Sequence, residues 1–285
     1  MTHIIVLTAS AGISDAQAAL LSDAAGAPAA RLDDLAVEVP GDEGALARAR
    51  GALGNGFDLN RVPIANRKKR LLIADMDSTI IPVECIDEIA DFAGVKEEVS
   101  AITEAAMRGE LDFNDALKAR VALLKGLPVK ALQQTYDERV HLNPGARALV
   151  QTMNRAGALT ALISGGFSFF TERVAAAAGF QVNQANTLLV ANGRLTGAPG
   201  VPILGRAAKL EALNRLAAQR GITAADAIAV GDGANDLSMV EAAGLGVAYH
   251  AKPALEAGAK ASLKHSDLTA LLHLQGYREA EIVRD

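Results

Sequence analysis

The sequence predicts an α/β protein with a Rossmann-like, doubly wound parallel sheet, an inserted helical cap and a small N-terminal α+β unit. From residue 143 onwards, apolar segments of strand length alternate with helical segments, as in parallel βαβ units. Residues 71–74 are all apolar, which is typical of a strand buried on both faces. Between residues 80 and 143 the pattern is helical throughout. That stretch is too long for one crossover helix, so it predicts a cap.

These patterns divide the chain into three parts. Residues 1–65 show two strand-like and two helix-like segments in the order βαβα, residues 66–80 and 144–285 supply the sheet, and residues 81–143 supply the cap. Residues 55–70 are rich in Gly, Pro and polar side chains, which indicates a linker. The basic cluster at 67–70 is interpreted as a solvated lead-in to the strand at 71, in preference to a nucleic-acid patch.

Composition narrows the classes of function. With 28 basic and 33 acidic residues the net charge is −5, which gives no electrostatic basis for binding nucleic acid or an anionic membrane. Cys85 is the only cysteine, so no intramolecular disulfide can form and a reducing compartment is expected. No apolar stretch approaches the roughly 20 residues needed to span a bilayer, and the N-terminus lacks a basic leader region. We therefore expect a cytoplasmic protein.

Two aspartates follow the strand at 71–74. Asp75 stands at its carboxyl end, where α/β sheets bind ligands, and Asp77 is two residues further on. Two carboxylates this close repel each other unless a cation, a shared proton or solvent compensates them, and Mg²⁺ prefers such oxygen ligands. The pair predicts a nucleophile, Asp75, that attacks phosphorus, and a general acid/base, Asp77. A solvated pair at a helix cap is the alternative.

A second acidic segment follows the predicted strand at 227–230. Asp232 would stand at that strand's end, where it could share Mg²⁺ with Asp75 and a main-chain oxygen near Asp77. Asp236 could hold a metal-bound water or orient a lysine, and Asn235 could donate a hydrogen bond to phosphate. The alternative is a polar loop in which Asn235 or Asp236 caps the next helix.

Two further features suit phosphate binding. Ser164 and Gly165, at the end of another predicted strand, offer a hydroxyl and backbone N–H groups, although Ser-Gly-Gly is also an ordinary turn. Lys209 stands near the start of a helix, where it could hold the phosphate and offset the charge of Asp75; most helix lysines face solvent. A metaphosphate-like transition state needs such donors around its equatorial oxygens.

With DMDST, SGG, a lysine and GDGAND in this order, the chain resembles the haloacid dehalogenase-like phosphohydrolases from residue 71 to about residue 274. Within them, DMDSTIIPVECIDEIADFAG, SGGF and VGDGANDLSM resemble the phosphoserine phosphatases. The resemblance implies Mg²⁺-dependent hydrolysis of O-phospho-L-serine through an aspartyl-phosphate, the last step of serine biosynthesis. It also implies a role for each matching residue. By this resemblance, the nucleophile is Asp75 and the acid/base is Asp77, while Mg²⁺ is bound by Asp75, the main chain of Asp77, and Asp232. Glu84 would pair with the serine ammonium, and Arg120 with its carboxylate. The phosphate would be held by Ser164, Gly165 and Lys209, with Asn235 nearby, and Met107 and Phe113 would close over the substrate.

Bacterial members of this family often carry an N-terminal amino-acid-binding regulatory domain of βαββαβ type. Residues 1–65 show only about half of that pattern, so feedback by serine is not expected. The unit could instead complete a partner's sheet in a homodimer.

Three alternatives remain. The substrate could be a related small phosphomonoester, because one methylene changes pocket binding by only about 1–3 kcal/mol. An Asp-phosphorylated signalling module also uses carboxylates, Mg²⁺ and a lysine, although a built-in acid/base such as Asp77 shortens the life of the acyl phosphate. A serine-sensing pseudoenzyme would not need the full catalytic set.

Overall fold

We describe residues 2–107 and 110–284 of a computed structural model. Across them the strands are β1 (His3–Thr8), β2 (Ala30–Asp33), β3 (Ala36–Pro40), β4 (Asp58–Pro63), β5 (Leu71–Ala74), β6 (Leu159–Phe167), β7 (Val182–Asn186), β8 (Leu188–Ala191), β9 (Arg194–Pro199), β10 (Ala227–Gly231), β11 (Leu245–Tyr249) and β12 (Ala261–Leu263). The helices are α1 (Asp15–Ala25), α2 (Glu43–Leu53), α3 (Cys85–Ala93), α4 (Lys96–Met107), α5 (Phe113–Leu123), α6 (Lys130–Arg139), α7 (Ala146–Arg155), α8 (Ser168–Ala178), α9 (Arg206–Gln219), α10 (Leu237–Ala242), α11 (Pro253–Glu256) and α12 (Ala270–Leu274).

The central sheet has six parallel strands in the order β12-β11-β10-β5-β6-β7. Side chains of β5 alternate between two apolar clusters: Leu72 packs with residues of α7 and α8, whereas Leu71 and Ile73 pack with residues of α9 and α10. Helices therefore cover both faces, which confirms the predicted fold class. Two strands of the sheet give no strand signal in the sequence: β7 is largely polar (VNQAN), and β12 is only three residues long.

Four helices, α3 to α6, follow β5 at the positions where helical periodicity predicted them. The Asn-Gly pair at 192–193, between two strand-like segments, is typical of a hairpin, and β8 and β9 form one. Asn192 and Gly193 have φ of 51° and 71°, the left-handed conformation that a two-residue hairpin turn requires. Backbone hydrogen bonds between Leu195 and the segment at 126–127 tie the hairpin to the end of α5. The hairpin thus supports the helical region from its side.

The N-terminal unit contains a four-stranded antiparallel sheet in the order β2-β3-β1-β4, with α1 and α2 between strands. The chain order is βαββαβ, so the predicted βαβα order was wrong by two strands, β2 and β4. The expectation that residues 1–65 show only about half of the βαββαβ pattern was therefore wrong as well. Ser14 caps α1 through a capping box with Gln17, as a serine directly before a helical segment predicts. The strand β4 was assigned to the linker because its sequence, DLNRVP, alternates polar and apolar residues and ends in proline.

Both faces of the N-terminal sheet are covered. Ile5 and Leu7 face α1 and α2, whereas Ile4, Val6 and Val62 join the large apolar cluster of the central domain. The polar residues of β4 bond to the segment around β12: the Asn60 amide exchanges two hydrogen bonds with the backbone of Ser262 (2.9 and 2.8 Å). We name this contact, made by residues 58–60 on one side and 262–266 on the other, the docking face. The homodimer remains a prediction.

Two residues of the basic cluster at 67–70 are partly or fully buried, so the interpretation of the cluster as a solvated lead-in was wrong for them. Arg67 is partly buried, donates to the carbonyls of Leu274 and His273, and pairs with Glu38. Lys69 is 6% exposed and donates to the carbonyl of Ala225. Within the described ranges, we find no helix with the length and apolarity that crossing a bilayer requires. The cytoplasmic location remains an expectation.

Candidate active site

The crevice at the carboxyl ends of β5, β6 and β10 collects the side chains that the sequence motifs predicted. Asp75 follows β5 and is 4% exposed. Its Oδ1 accepts a hydrogen bond from the Met76 N–H at 2.8 Å and lies 2.8 Å from Lys209 Nζ, whereas its Oδ2 lies 3.4 Å from Asn235 Nδ2. The carboxylate is therefore fixed on one side and faces the crevice, which it lines, on the other.

Asp77 sits in a tight turn in which Ser78 adopts a left-handed conformation (φ 53°, ψ 8°). The turn brings the carboxylate back to the crevice: Oδ1 accepts from the Cys85 N–H at 2.9 Å and Oδ2 accepts from Ser164 Oγ at 3.2 Å. Burial and the neighbouring Asp75 carboxylate raise the pKa of Asp77 to about 6. A carboxyl group in this setting can both give and take a proton.

The two residues after Ser164 are glycines because neighbouring side chains approach their backbone closely. A Cβ on Gly166 would lie 2.7 Å from Asp77 Oδ2, and one on Gly165 would lie 2.9 Å from Cζ of Phe113. The Ser164 Oγ also accepts a hydrogen bond from the Gly166 N–H at 2.8 Å. Side chains at these positions would fill the space beside the acid/base, so Gly165 and Gly166 keep the crevice open.

Lys209 is 2% exposed, and its Nζ lies 2.8 Å from Asp75 Oδ1 and 2.6 Å from Asp236 Oδ1. Burial lowers the pKa of Lys209, but the Asp236 and Asp75 carboxylates more than offset this and raise it above its usual value. The lysine is therefore a fixed positive charge bridging two carboxylates. Direct contact between Lys209 and a phosphate remains a prediction.

The loop after β10 folds around Asp236. Its Oδ2 accepts from the backbone N–H groups of Asp232 (3.3 Å) and Gly233 (3.2 Å), and a Cβ on Gly231 would lie 2.4 Å from that oxygen. Burial raises the pKa of Asp232 to about 8, and the neighbouring carboxylates of Asp236 and Asp75 contribute to the rise. Burial and Asp75 raise the pKa of Asp236 to about 7. These shifts reflect negative charge that the protein itself does not neutralise.

The donor set fits a hard divalent cation. Asp75, Asp232 and Asp236 each offer one carboxylate oxygen, and these oxygens lie within 4.8 Å of one another. Including Asp77, four buried carboxylates share this part of the crevice with the single ammonium of Lys209. Oxygen ligands and uncompensated negative charge are what Mg²⁺ requires. The cluster contains Asp75 and Asp232, together with Asp236, for which the sequence had indicated a supporting role.

The helical region contributes one buried acid and one buried base to the same crevice. Glu84 accepts from Ser78 Oγ at 2.8 Å, and burial, with Asp77 and Asp232, raises its pKa well above the usual value. Arg120 is 7% exposed and donates from Nη1 to Thr103 Oγ1 at 3.1 Å. Both line the crevice beside Phe113. The Met107 side chain lies outside the described part of the chain.

Several residues of the site were not predicted from the sequence. The crevice is also lined by apolar or small residues, namely Ile86, Ala106, Leu117, Phe167 and Ala234, and by Thr103. Asn186 holds the loop from outside: its Nδ2 donates to the Gly165 carbonyl at 2.8 Å, and its Oδ1 accepts from the Leu204 N–H at 2.7 Å. Thr103 stands four residues before Met107 on one helix face, and that spacing was the available signal.

Comparisons with known proteins agree with this geometry. The family model of the haloacid dehalogenase-like hydrolases matches residues 72–241. A phosphoserine phosphatase of Polaromonas is 48% identical over 72% of this chain and 89% of its own length. That of Archaeoglobus fulgidus is 45% identical over 76% of this chain, and the match spans only 63% of the relative's length.

One solved structure, a phospho-aspartyl intermediate analogue of phosphoserine phosphatase, superposes with a TM-score of 0.69 at 40% identity, covering 72% of this chain and 98% of that one. The match of the family model takes in both acidic motifs, the Ser-Gly-Gly segment and Lys209. The chain belongs to the haloacid dehalogenase-like hydrolase family.

Proposed function

We propose that this chain is an Mg²⁺-dependent phosphatase that hydrolyses O-phospho-L-serine to L-serine and phosphate. The observation that carries the proposal is the presence of Glu84 and Arg120 in the crevice that also holds Asp75 and Asp77. A phosphoserine molecule carries an ammonium and a carboxylate beside its phosphate, so a selective pocket needs one acid and one base. The relatives named above, which are phosphoserine phosphatases, support this substrate.

In the first step, Asp75 attacks phosphorus and the bond from phosphorus to the serine oxygen breaks. Oδ1 of Asp75 is held by Lys209 and the Met76 N–H, which leaves Oδ2 as the attacking atom. The leaving alkoxide takes the proton of the Asp77 carboxyl, and an aspartyl-phosphate remains on Asp75. The Cys85 N–H and the Ser164 hydroxyl keep the Asp77 carboxyl aimed at that oxygen.

In the second step, Asp77, now a carboxylate, takes a proton from water, and the water oxygen attacks phosphorus. The bond between phosphorus and Asp75 breaks, so phosphate leaves and the free carboxylate returns. Lys209 stabilises the Asp75 carboxylate as it re-forms. One residue thus serves as acid and then as base, and the proton count closes over the cycle.

Asp75, Asp232 and Asp236, with the main-chain oxygen of Asp77, are the groups proposed to hold Mg²⁺. When bound, the ion would supply the positive charge that lets a phosphate dianion approach the Asp75 carboxylate. Ser164, which contacts Asp77, and the backbone N–H group of Gly165 would bind the remaining phosphate oxygens. Asn235, beside Asp75, would donate to the phosphate as well.

The test is phosphate release by the purified chain from O-phospho-L-serine, O-phosphothreonine and an aryl phosphate, each with Mg²⁺ and with EDTA. We expect Mg²⁺-dependent turnover with the highest kcat/KM for phosphoserine. Glu84→Ala should raise KM for phosphoserine and leave KM for the aryl ester, which has no amine, unchanged. A kcat/KM for phosphothreonine above that for phosphoserine, or activity on the aryl ester alone, would refute the substrate assignment. Either result would leave the roles of Asp75 and Asp77 in the chemistry intact.

A further inference from the structure

Arg120 is a buried cation, 7% exposed, that lines the crevice. Within residues 2–107 and 110–284, no ion pair joins its guanidinium to a carboxylate. Buried charges are costly unless they are paired, so the position is built for an anionic group that arrives with a ligand. A guanidinium can hold a carboxylate through two parallel hydrogen bonds only if its plane is fixed in the correct orientation.

Two contacts with described residues fix that plane. Nε donates to the Ala116 carbonyl, one turn earlier on the same helix, at 3.3 Å, and Nη1 donates to Thr103 Oγ1 at 3.1 Å. The first bond is within α5 and is long. The second comes from α4, so Thr103 is the group outside the arginine's own helix that sets its orientation. Thr103 is 4% exposed and lines the crevice itself.

The Thr103 hydroxyl is itself constrained. A hydroxyl has one hydrogen to donate and two lone pairs to accept with. Two acceptors, Asp87 Oδ1 (3.0 Å) and the Val99 carbonyl (3.1 Å), lie within reach of that one hydrogen, and both lone pairs remain for Arg120. Asp87 is held in turn by Ser100, whose Oγ donates to its Oδ2 at 2.9 Å. The hydroxyl therefore acts as an acceptor toward the arginine.

We propose that Thr103, oriented by Asp87, is a positioning residue that presents the Arg120 guanidinium to the carboxylate of the substrate. The inference rests on the proposed function, since it assigns to Arg120 the carboxylate of phosphoserine. Asp87 lies in the first turn of α3, and Glu84 precedes that helix. The start of α3 thus carries Glu84, which would pair with the substrate ammonium, and Asp87, which orients Arg120 through Thr103. Loss of the hydroxyl weakens carboxylate recognition and spares the phosphoryl chemistry.

The experiment compares Thr103→Val, which keeps the shape and removes the hydroxyl, with Thr103→Ser, which keeps the hydroxyl. Each is assayed on O-phosphoserine and on O-phosphoethanolamine, which has the phosphate and the ammonium but no carboxylate. We expect Thr103→Val to raise KM for phosphoserine about tenfold, as loss of one hydrogen bond to a charged group predicts, with kcat within about twofold. Its kcat/KM for phosphoethanolamine should be unchanged, and Thr103→Ser should behave as the wild type.

The matched control is Thr135→Val, which also removes the hydroxyl of a buried helix threonine, one that donates to the Ala131 carbonyl of its own helix; its KM for phosphoserine should stay within about twofold. A merely structural role for Thr103 would lower kcat/KM for both substrates equally, and that result would overturn the inference, as would failure of Thr103→Ser to restore KM. If Thr103→Val does not fold, the Thr103→Ser and Thr103→Ala pair gives the same test. Absence of phosphoserine turnover by the wild type would instead refute the proposed function.

Discussion

The buried aspartates of the docking face and those of the crevice have different surroundings. At the docking face, Asp58 accepts three backbone hydrogen bonds, from the N–H groups of Lys264 (2.8 Å), His265 (3.0 Å) and Ser266 (2.8 Å). In the crevice, Asp75, Asp77, Asp232 and Asp236 stand together with the ammonium of Lys209. The first region neutralises its carboxylate with the protein's own donors, whereas the second gathers more negative charge than it neutralises.

The difference separates a structural role from a functional one. A buried carboxylate that has several N–H partners stabilises the fold, because the hydrogen bonds offset the loss of hydration. A group of carboxylates that raise one another's pKa values destabilises the empty fold and is retained where a ligand supplies the missing charge. Substitutions in the two regions should therefore have opposite consequences for activity and for stability.

The largest effect is expected from Asp75→Asn. The amide keeps the shape of the side chain but removes the nucleophile, so kcat should fall by about 10⁴-fold or more, while the melting temperature stays the same or rises because one like charge is gone. Steady-state kinetics and differential scanning calorimetry measure the two quantities. Turnover within tenfold of the wild type would exclude Asp75 as nucleophile.

At the docking face, Asp58→Ala should lower the free energy of unfolding by about 3 kcal/mol, because three buried backbone N–H groups lose their acceptor. The kcat of the folded fraction should stay within twofold. Urea denaturation gives the free energy, and the control is Asp23→Ala, an exposed position where a change within about 0.5 kcal/mol is expected. Equal stability of the two variants would show that Asp58 does not hold the N-terminal unit to the central domain.

Without divalent cations, repulsion among the carboxylates of the crevice should lower the stability of the fold. Asp232 and Asp236 have pKa values of about 8 and about 7, above the 3.8 of an unfolded aspartate, so the folded chain binds more protons than the unfolded one between about pH 4 and pH 8. Stability in EDTA should therefore fall as pH rises through this window. Added Mg²⁺ should raise the melting temperature by several degrees at pH 8 and by less at pH 6.

An equal Mg²⁺ effect at the two pH values would contradict this explanation. In Asp232→Asn the decline of stability with pH should be weaker, since one of the groups that titrate in this window is gone.

A smaller effect is expected at Asp33, in the N-terminal unit. Burial alone would raise its pKa, but the hydrogen bond and charge of His273 (Nε2 to Oδ2, 2.8 Å), the Leu35 N–H and Arg284 lower it below 3.8. The stability that these contacts provide is present above about pH 4 and is lost as pH falls through the lowered pKa. Asp33→Asn should cost about 1–2 kcal/mol at pH 7.

The difference in free energy of unfolding between Asp33→Asn and the wild type should disappear as the pH falls below about 4. Urea denaturation over a pH series measures it, and a gap that is constant from pH 7 to pH 3 would contradict the assignment.

The two regions also differ in how far the sequence predicts them. Asp75 and Asp232 follow apolar runs, and the parallel-sheet pattern places the ends of such strands at one edge, so the crevice could be assembled from motif spacing alone. Asp58 and Asn60 gave no such signal, because a polar segment with a proline is typical of a linker; their partners are backbone groups more than 200 residues away. Thr103 was missed because its contact with Arg120 joins two different helices, α4 and α5, and spacing along one helix does not show such a contact.

The most direct test of the difference between the two regions is chemical trapping of the covalent intermediate. The purified chain is mixed with ³²P-labelled O-phosphoserine and Mg²⁺, quenched in acid within milliseconds, and digested for mass spectrometry. We expect the label on the peptide that contains Asp75, and none on the same peptide from Asp75→Asn. Label on another carboxylate, or turnover without any covalent label, would contradict the assignment of the crevice as the site of phosphoryl transfer through Asp75.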